Sequence, residues 1–170
     1  IRENIIYDEQ DNIIGRAKGL WIFFDIERRR PVQIFDDIKE KWSFCNEESI
    51  HYDISKKIKA IENPDFELKF KVNRYDTDMI KHVNNIRYLQ WVVESVPSEI
   101  IDNYYLYSID GRFISEAYYG QTIVSLTKND INETNDKSFI HTIKVEETEK
   151  VCATAKTIWR KIKTRKHNTV

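Results

Sequence analysis

An α+β fold, with one buried helix packed on an antiparallel sheet, is what three features of this sequence predict. Phe66, Leu68, Phe70 and Val72 alternate with polar residues, the period-two pattern of a strand with one covered face. From Ile86 to Val96, Ile86, Leu89, Val93 and Val96 share one helical face, while Tyr88, Trp91 and Val92 put large apolar groups on much of the rest. A helix that is apolar nearly all round belongs inside a structure. Five strand candidates follow, at 104–109, 112–118, 122–128, 137–146 and 151–163, separated by short polar turns. One strand, one buried helix and then a run of strands is the order expected of a helix laid on an antiparallel sheet.

The helix has readable ends. Asn84 or Asn85 can cap its start, and Pro97 disfavours a helical conformation at Val96, so a break is expected there before a short second helical stretch at 98–102. The first N–H groups of a helix lack partners within it and, with the helix dipole, suit negative charge. An oxyanion formed from a carbonyl could be bound there. Just upstream lie Asp76, Asp78 and His82, so acid–base chemistry and the helix start are adjacent in the chain.

At 170 residues, 41% hydrophobic and 12% aromatic, the chain can bury one good core and part of a second. The net charge of -1 gives no pointer to nucleic acid, and no nucleic-acid partner is expected. Cys45 and Cys152 have no metal-ligand spacing and read as the free thiols of a cytoplasmic protein. No apolar run approaches the ~18 residues of a membrane span, and no signal segment opens the chain. The first residue is Ile rather than Met, so a removed organelle-targeting peptide stays open. With only four glycines and three prolines, long linkers are not expected.

An internal repeat sets the domain organisation. Ala17-Lys18-Gly19-Leu20-Trp21 recurs 138 positions later as Ala155-Lys156-Thr157-Ile158-Trp159, and polar turns at 8–12 and 146–150 precede the two copies. Each copy reads as strand, turn, long strand. Residues 1–30 are therefore expected to be the rear strands of a partial first domain, whose sheet face would be bare without a covering helix. Residues 65–170 are expected to be a complete second domain. Between them, 31–64 reads as a connecting helix, with Ile34, Phe35, Ile38 and Trp42 at helical spacing, followed by an extended crossover. The whole is the outline of a hotdog fold, an antiparallel sheet wrapped around a central helix, present once in full and once in part.

The run D-x-D-x-x-x-H-V-N-N-x-x-Y-L-x-W from Asp76 to Trp91, with Ser115-Glu116-Ala117 downstream and the A-K-x-[LI]-W strand in both copies, resembles the acyl-acyl carrier protein thioesterases of fatty acid synthesis. The resemblance implies hydrolysis of the thioester between a fatty acyl chain and the phosphopantetheine arm of acyl carrier protein, releasing free fatty acid. It implies no metal or redox cofactor and acyl carrier protein as partner. Its site positions fall on Asp78, His82 and Glu116, and an Asn expected between the first two is replaced by Ile80, so that either Asn84 or Asn85 does that work or the site is weakened. A cysteine sometimes assigned next to the Glu is replaced by Ala117, which leaves attack by water.

Glu116 is then expected to be the base, with Asp78 as the alternative, and burial beside the acyl pocket would favour that role. His82 would orient Asp78 or the water, or donate to the oxyanion. The backbone N–H groups around Val83 and Asn84, with Asn85, would complete the oxyanion site. Asp76 reads as equally suited to capping, and the Trp21 and Trp159 pair as packing. His51, His141 and His167 belong to no constellation. Lys156, Arg160, Lys161, Lys163, Arg165 and Lys166 form a basic cluster that reads first as a solvated strand end and second as a dock for an acidic carrier protein. Two other functions fit the same residues: an acyl-CoA thioesterase of the hotdog class, and a non-catalytic acyl-binding hotdog. Oligomeric state is open, a homodimer included.

Overall fold

The computed structural model describes residues 1–28, 30–41, 50, 51, 53, 55–131 and 136–162. Two compact units divide the chain, Ile1–Lys56 and Lys57–Val170. Trp42, Cys45, His167, Lys163, Arg165 and Lys166, all named above, lie outside the described residues.

In the first unit, β1 (Arg2–Tyr7) and β2 (Ile13–Gly19) form an antiparallel hairpin, and β3 (Phe24–Asp25) pairs with β4 (Arg30–Pro31). The hairpin turn is held by the Asp8 carboxylate, whose Oδ1 accepts N–H groups of Gln10 at 2.9 Å and Asn12 at 2.8 Å. Asp11 is left-handed there (φ 60), and 138 positions on, Glu149 is left-handed in the matching turn (φ 57), so the repeat extends to backbone conformation. It does not extend to strand length. β2 stops at Gly19, whereas its counterpart runs Val151–Lys161. That longer strand has a hydrogen-bonded neighbour on each side, and β2 is paired only with β1 among the described residues. Ile6, Tyr7, Ile14, Leu20 and Trp21 are exposed in this unit. The predicted connecting helix is a single turn, α1 (Asp36–Lys39).

In the second unit, β5 (Phe66–Lys71) is followed by a 3-10 turn at Arg74–Asp76, α2 (Asn85–Glu94), α3 (Ser98–Asn103), β6 (Tyr104–Phe113), β7 (Thr122–Asn129), β8 (Lys137–Val145) and β9 (Val151–Lys161). The strands form one fully antiparallel sheet in the order β5-β7-β8-β9-β6. α2 lies on one face, where Tyr88, Trp91 and Val92 pack with Ile123, Ile143, Val145, Ala153 and Ala155. This is the hotdog fold. Asn84 caps α2, its side chain accepting the Ile86 N–H at 3.0 Å, and the break falls at Pro97 as predicted. The helix is less enclosed than its composition suggests, since Ile86 is 52% exposed. On the other face of the sheet, Ile61 of the crossover donates its N–H to the buried Thr142 hydroxyl at 2.8 Å.

The predicted strands 104–109 and 112–118 are a single strand, β6, that ends at Phe113. Asp110-Gly111 was expected to turn the chain, but Gly111 pairs with Ala155 inside the ladder. A Cβ there would meet Leu89 of α2 at 3.0 Å, so this glycine serves close approach of helix and strand. Residues 114–121 are consequently free of the sheet's regular pairing.

Two side chains left without a role by the sequence, or given only a packing one, stabilise the core. Trp159 is buried with its indole N–H on the Thr157 hydroxyl at 3.0 Å, while Trp21 is exposed against the Arg2 guanidinium. His141 is fully buried, its Nδ1 3.0 Å from the Thr127 hydroxyl and its Nε2 2.9 Å from that of Thr157. Burial drives its pKa down to about 3 from 6.5. The unfolded chain therefore takes up this proton near pH 6.5 and the folded chain only near pH 3, so its contribution to stability is full above about 6.5 and falls as pH drops toward 3. Denaturant unfolding at pH 7, 6 and 5 should show His141→Gln less stable than the parent at pH 7 but with a shallower loss on acidification, the difference approaching about 1.4 kcal/mol per pH unit.

Candidate active site

The site begins with a turn that the sequence writes locally. Asp78 Oδ1 accepts the N–H groups of Ile80 at 3.0 Å and His82 at 3.2 Å. The Asp78 N–H donates to the His82 carbonyl at 2.8 Å, and Lys81, left-handed at φ 66, donates to the Asp78 carbonyl at 3.0 Å. An aspartate that binds backbone N–H groups two and four residues on closes the loop without help from distant elements. The chain leaves this turn as a short extended stretch in which Thr77 bridges Val83 and His82 bridges Tyr118.

The segment after β6 is gripped from two directions at one residue. The Val83 N–H donates to the Ala117 carbonyl at 3.0 Å, and the Ala117 N–H donates to the Tyr88 phenol oxygen at 3.0 Å. Tyr88 is buried among Trp91, Phe113 and Cys152, and burial pushes its phenol well above the usual range, so it stays neutral. Cys152 is a free, buried thiol, likewise pushed up by burial.

This grip sets Glu116 facing His82. His82 Nδ1 lies 3.3 Å from Glu116 Oε1, and the Tyr118 hydroxyl donates to Glu116 Oε2 at 3.1 Å. The Tyr118 ring meets the imidazole edge-on at 5.4 Å between centroids. The side chain of His82 is 25% exposed and that of Glu116 is 45% exposed, so the burial expected around Glu116 is not present in this chain. A carboxylate and an imidazole this close can share a proton directly, or together hold a water beside them.

The other predicted residues divide. Asp78 supports the turn through its backbone bonds, and its hydrogen bonds to His82 are to backbone atoms rather than to the ring. The oxyanion expectation at Val83 and Asn84 is corrected: the Val83 N–H is given to Ala117, and the Asn84 N–H to the Asp76 carbonyl at 2.8 Å. The Asn84 side chain is occupied as the helix cap. Asn85, the first residue of α2, has no carbonyl four residues back within the helix, so its N–H has no intrahelical partner. Asp76 is structural, paired with Arg87 at 3.2 Å and accepting the Asn73 N–H at 2.7 Å. In the basic cluster, Lys156 pairs with Asp130 at 2.6 Å, and Arg160 pairs with Asp136 at 3.2 Å and covers the Tyr107 ring. Among the described residues, no group of three or more His, Cys, Asp or Glu side chains could hold a metal ion.

Tyr88 and Tyr118 are the site residues that sequence reasoning missed. Tyr88 was read as an apolar helix residue, with nothing to signal that its hydroxyl reaches the Ala117 amide. For Tyr118 a signal existed: two residues from Glu116 on an extended segment, it must project from the same side.

A hotdog domain with a facing His and Glu at the start of its central helix is the class these features define. Residues 58–161 match the acyl-ACP thioesterase C-terminal domain, and the chain belongs to that family. It is 29% identical to oleoyl-acyl carrier protein thioesterase 2, chloroplastic, of Arabidopsis thaliana, over 88% of this chain and 48% of the relative. It is 31% identical to the oleoyl-acyl carrier protein thioesterase, chloroplastic, of Coriandrum sativum, over 78% of this chain and 38% of that one. The chain thus spans less than half the length of these two relatives. Among solved structures, its fold is similar to an acyl-ACP thioesterase from Bacteroides thetaiotaomicron (TM-score 0.77, 21% identity, 93% of this chain and 61% of that one). It is also similar to the 12:0-ACP thioesterase from Umbellularia californica (TM-score 0.70, 23% identity, 82% and 52%).

The grip on Ala117 has a measurable consequence. Tyr88→Phe leaves a buried amide N–H without its acceptor, and urea unfolding should report a loss of about 1–3 kcal/mol.

Proposed function

We propose that the protein hydrolyses fatty acyl-acyl carrier protein thioesters by attack of a base-activated water, releasing free fatty acid. The observation that supports this reading most is the facing pair, His82 Nδ1 and Glu116 Oε1 at 3.3 Å, in a chain of the acyl-ACP thioesterase family. Glu116 takes the proton of the water as it attacks the thioester carbonyl. His82 donates to the carboxylate in the resting state and holds the water during attack. The helix-tip N–H of Asn85 receives the developing oxyanion, and the proton reaches the departing thiolate of phosphopantetheine. Asp78 builds the turn that presents His82 and takes no proton.

Acyl carrier protein is the partner in this reading, and the relatives that carry its name in theirs support that choice over coenzyme A. A cytoplasmic location and a homodimer remain expectations for the intact protein. Among the described residues, no helix is long and apolar enough to cross a membrane, and the plant relatives are named chloroplastic. The reading of residues 1–30 as the rear of a first hotdog, joined by 31–64 to a second at 65–170, belongs to the same proposal.

One set of assays on the intact protein tests it, with the same acyl chain supplied on acyl carrier protein and on coenzyme A. Glu116→Gln should lower kcat on the carrier substrate by about 10²–10⁴-fold. Asp78→Asn, which keeps an acceptor oxygen for the Ile80 and His82 amides, should lose less than about tenfold. Equal turnover of the two thioesters would favour the acyl-CoA thioesterase, and no turnover of either the non-catalytic acyl binder. A larger loss at Asp78 than at Glu116 would move the base to Asp78.

A further inference from the structure

We propose that Tyr118 is a positioning residue that clamps the Glu116 carboxylate for water activation, an inference that rests on Glu116 being the base. Glu116 has three rotatable side-chain bonds and is nearly half exposed, so without restraint it samples many rotamers. A general base must hold one oxygen within about 2.6–3.2 Å of the proton it takes. Here each oxygen meets a different partner: Oε1 faces His82 Nδ1 at 3.3 Å, and Oε2 accepts the Tyr118 hydroxyl at 3.1 Å. Two partners on opposite oxygens fix the rotation of the carboxylate plane as well as its place.

Tyr118 is itself held well enough to act as a clamp. It is the bridge partner of His82, and its ring packs edge-on against the imidazole at 5.4 Å. Its N–H donates to Gln121 Oε1 at 2.8 Å, and its carbonyl accepts the Gln121 N–H at 3.2 Å. Gly120, at φ 86, supplies the left-handed turn that brings Gln121 back. One residue earlier, the Ala117 peptide is fixed to Val83 and Tyr88. Glu116 and Tyr118 thus flank a clamped peptide and project together toward His82. Nothing in acid–base chemistry requires a phenol at this place. Its hydroxyl contributes orientation, which acts on turnover more than on substrate binding.

The test is Tyr118→Phe, which keeps the ring on His82 and removes the hydroxyl, assayed on acyl carrier protein thioester with the intact protein. The expected result is a kcat lowered roughly tenfold with KM changed less than about twofold. In a Glu116→Gln background the same substitution should cost less than about twofold, because no base remains to be aimed. Tyr118→Leu, which removes the ring as well, should be close to Tyr118→Phe. Parental turnover in Tyr118→Phe, an equal loss in the Glu116→Gln background, or a loss confined to Tyr118→Leu would each overturn the assignment. Near-parental turnover in Glu116→Gln alone would remove the base, and this proposal with it. An inactive Glu116→Gln beside an unaffected Tyr118→Phe would remove this proposal only.

Discussion

The peptide between Glu116 and Ala117 is the joint on which the site depends. Its N–H is held by the Tyr88 phenol, a side chain of the central helix, and the next carbonyl by the Val83 amide at that helix's approach. Residues 114–121 belong to no strand, so these two bonds, with those that Ser115 makes to the Cys152 and Val151 carbonyls, determine where Glu116 points. Both are shielded by the Tyr88, Val83 and Ala117 side chains, which are buried in the same apolar cluster. A hydrogen bond shielded from water is costly to leave unmade, and that cost is what makes the joint rigid. The helix and the Glu116 carboxylate are thereby coupled without being neighbours in sequence.

The His82–Glu116 contact contributes little to stability. Both side chains are partly exposed, and ion pairs of that kind are worth about 0–1 kcal/mol. Its value is geometric. The Asp78 turn supplies the imidazole from one side, and the Ala117 joint supplies the carboxylate from the other. The buried His141 is the opposite case: two threonine hydroxyls satisfy a neutral imidazole deep in the sheet, and its role is to hold β7, β8 and β9 together.

Much of this was legible in the chain because it is local. The Asn84 cap, the break at Pro97, the period-two strand at Phe66–Lys71 and the matching turns around Asp11 and Glu149 all follow from residues a few positions apart. What escaped was decided by distant partners. Gly111 reads as a turn until Leu89 is seen to press against it, and β2 reads as a long strand until it is seen paired only with β1 among the described residues. The oxyanion assignment failed at Val83 and Asn84 for the same reason, since whether a backbone N–H is free depends on Ala117 and Asp76 being beside it. Glu116 and His82 were singled out through the motif and Tyr118 could have been from its spacing to Glu116, whereas the reach of the Tyr88 hydroxyl to the Ala117 amide was visible only in three dimensions.

The central claim is that water, not Glu116, forms the new bond to the acyl carbon. A single turnover of acyl carrier protein thioester in H₂¹⁸O, with enzyme in excess, tests it most directly. The account predicts ¹⁸O in the released fatty acid and none in the Glu116 carboxylate. Label recovered in Glu116 would show that the carboxylate had attacked the thioester and been hydrolysed in turn, and would contradict it.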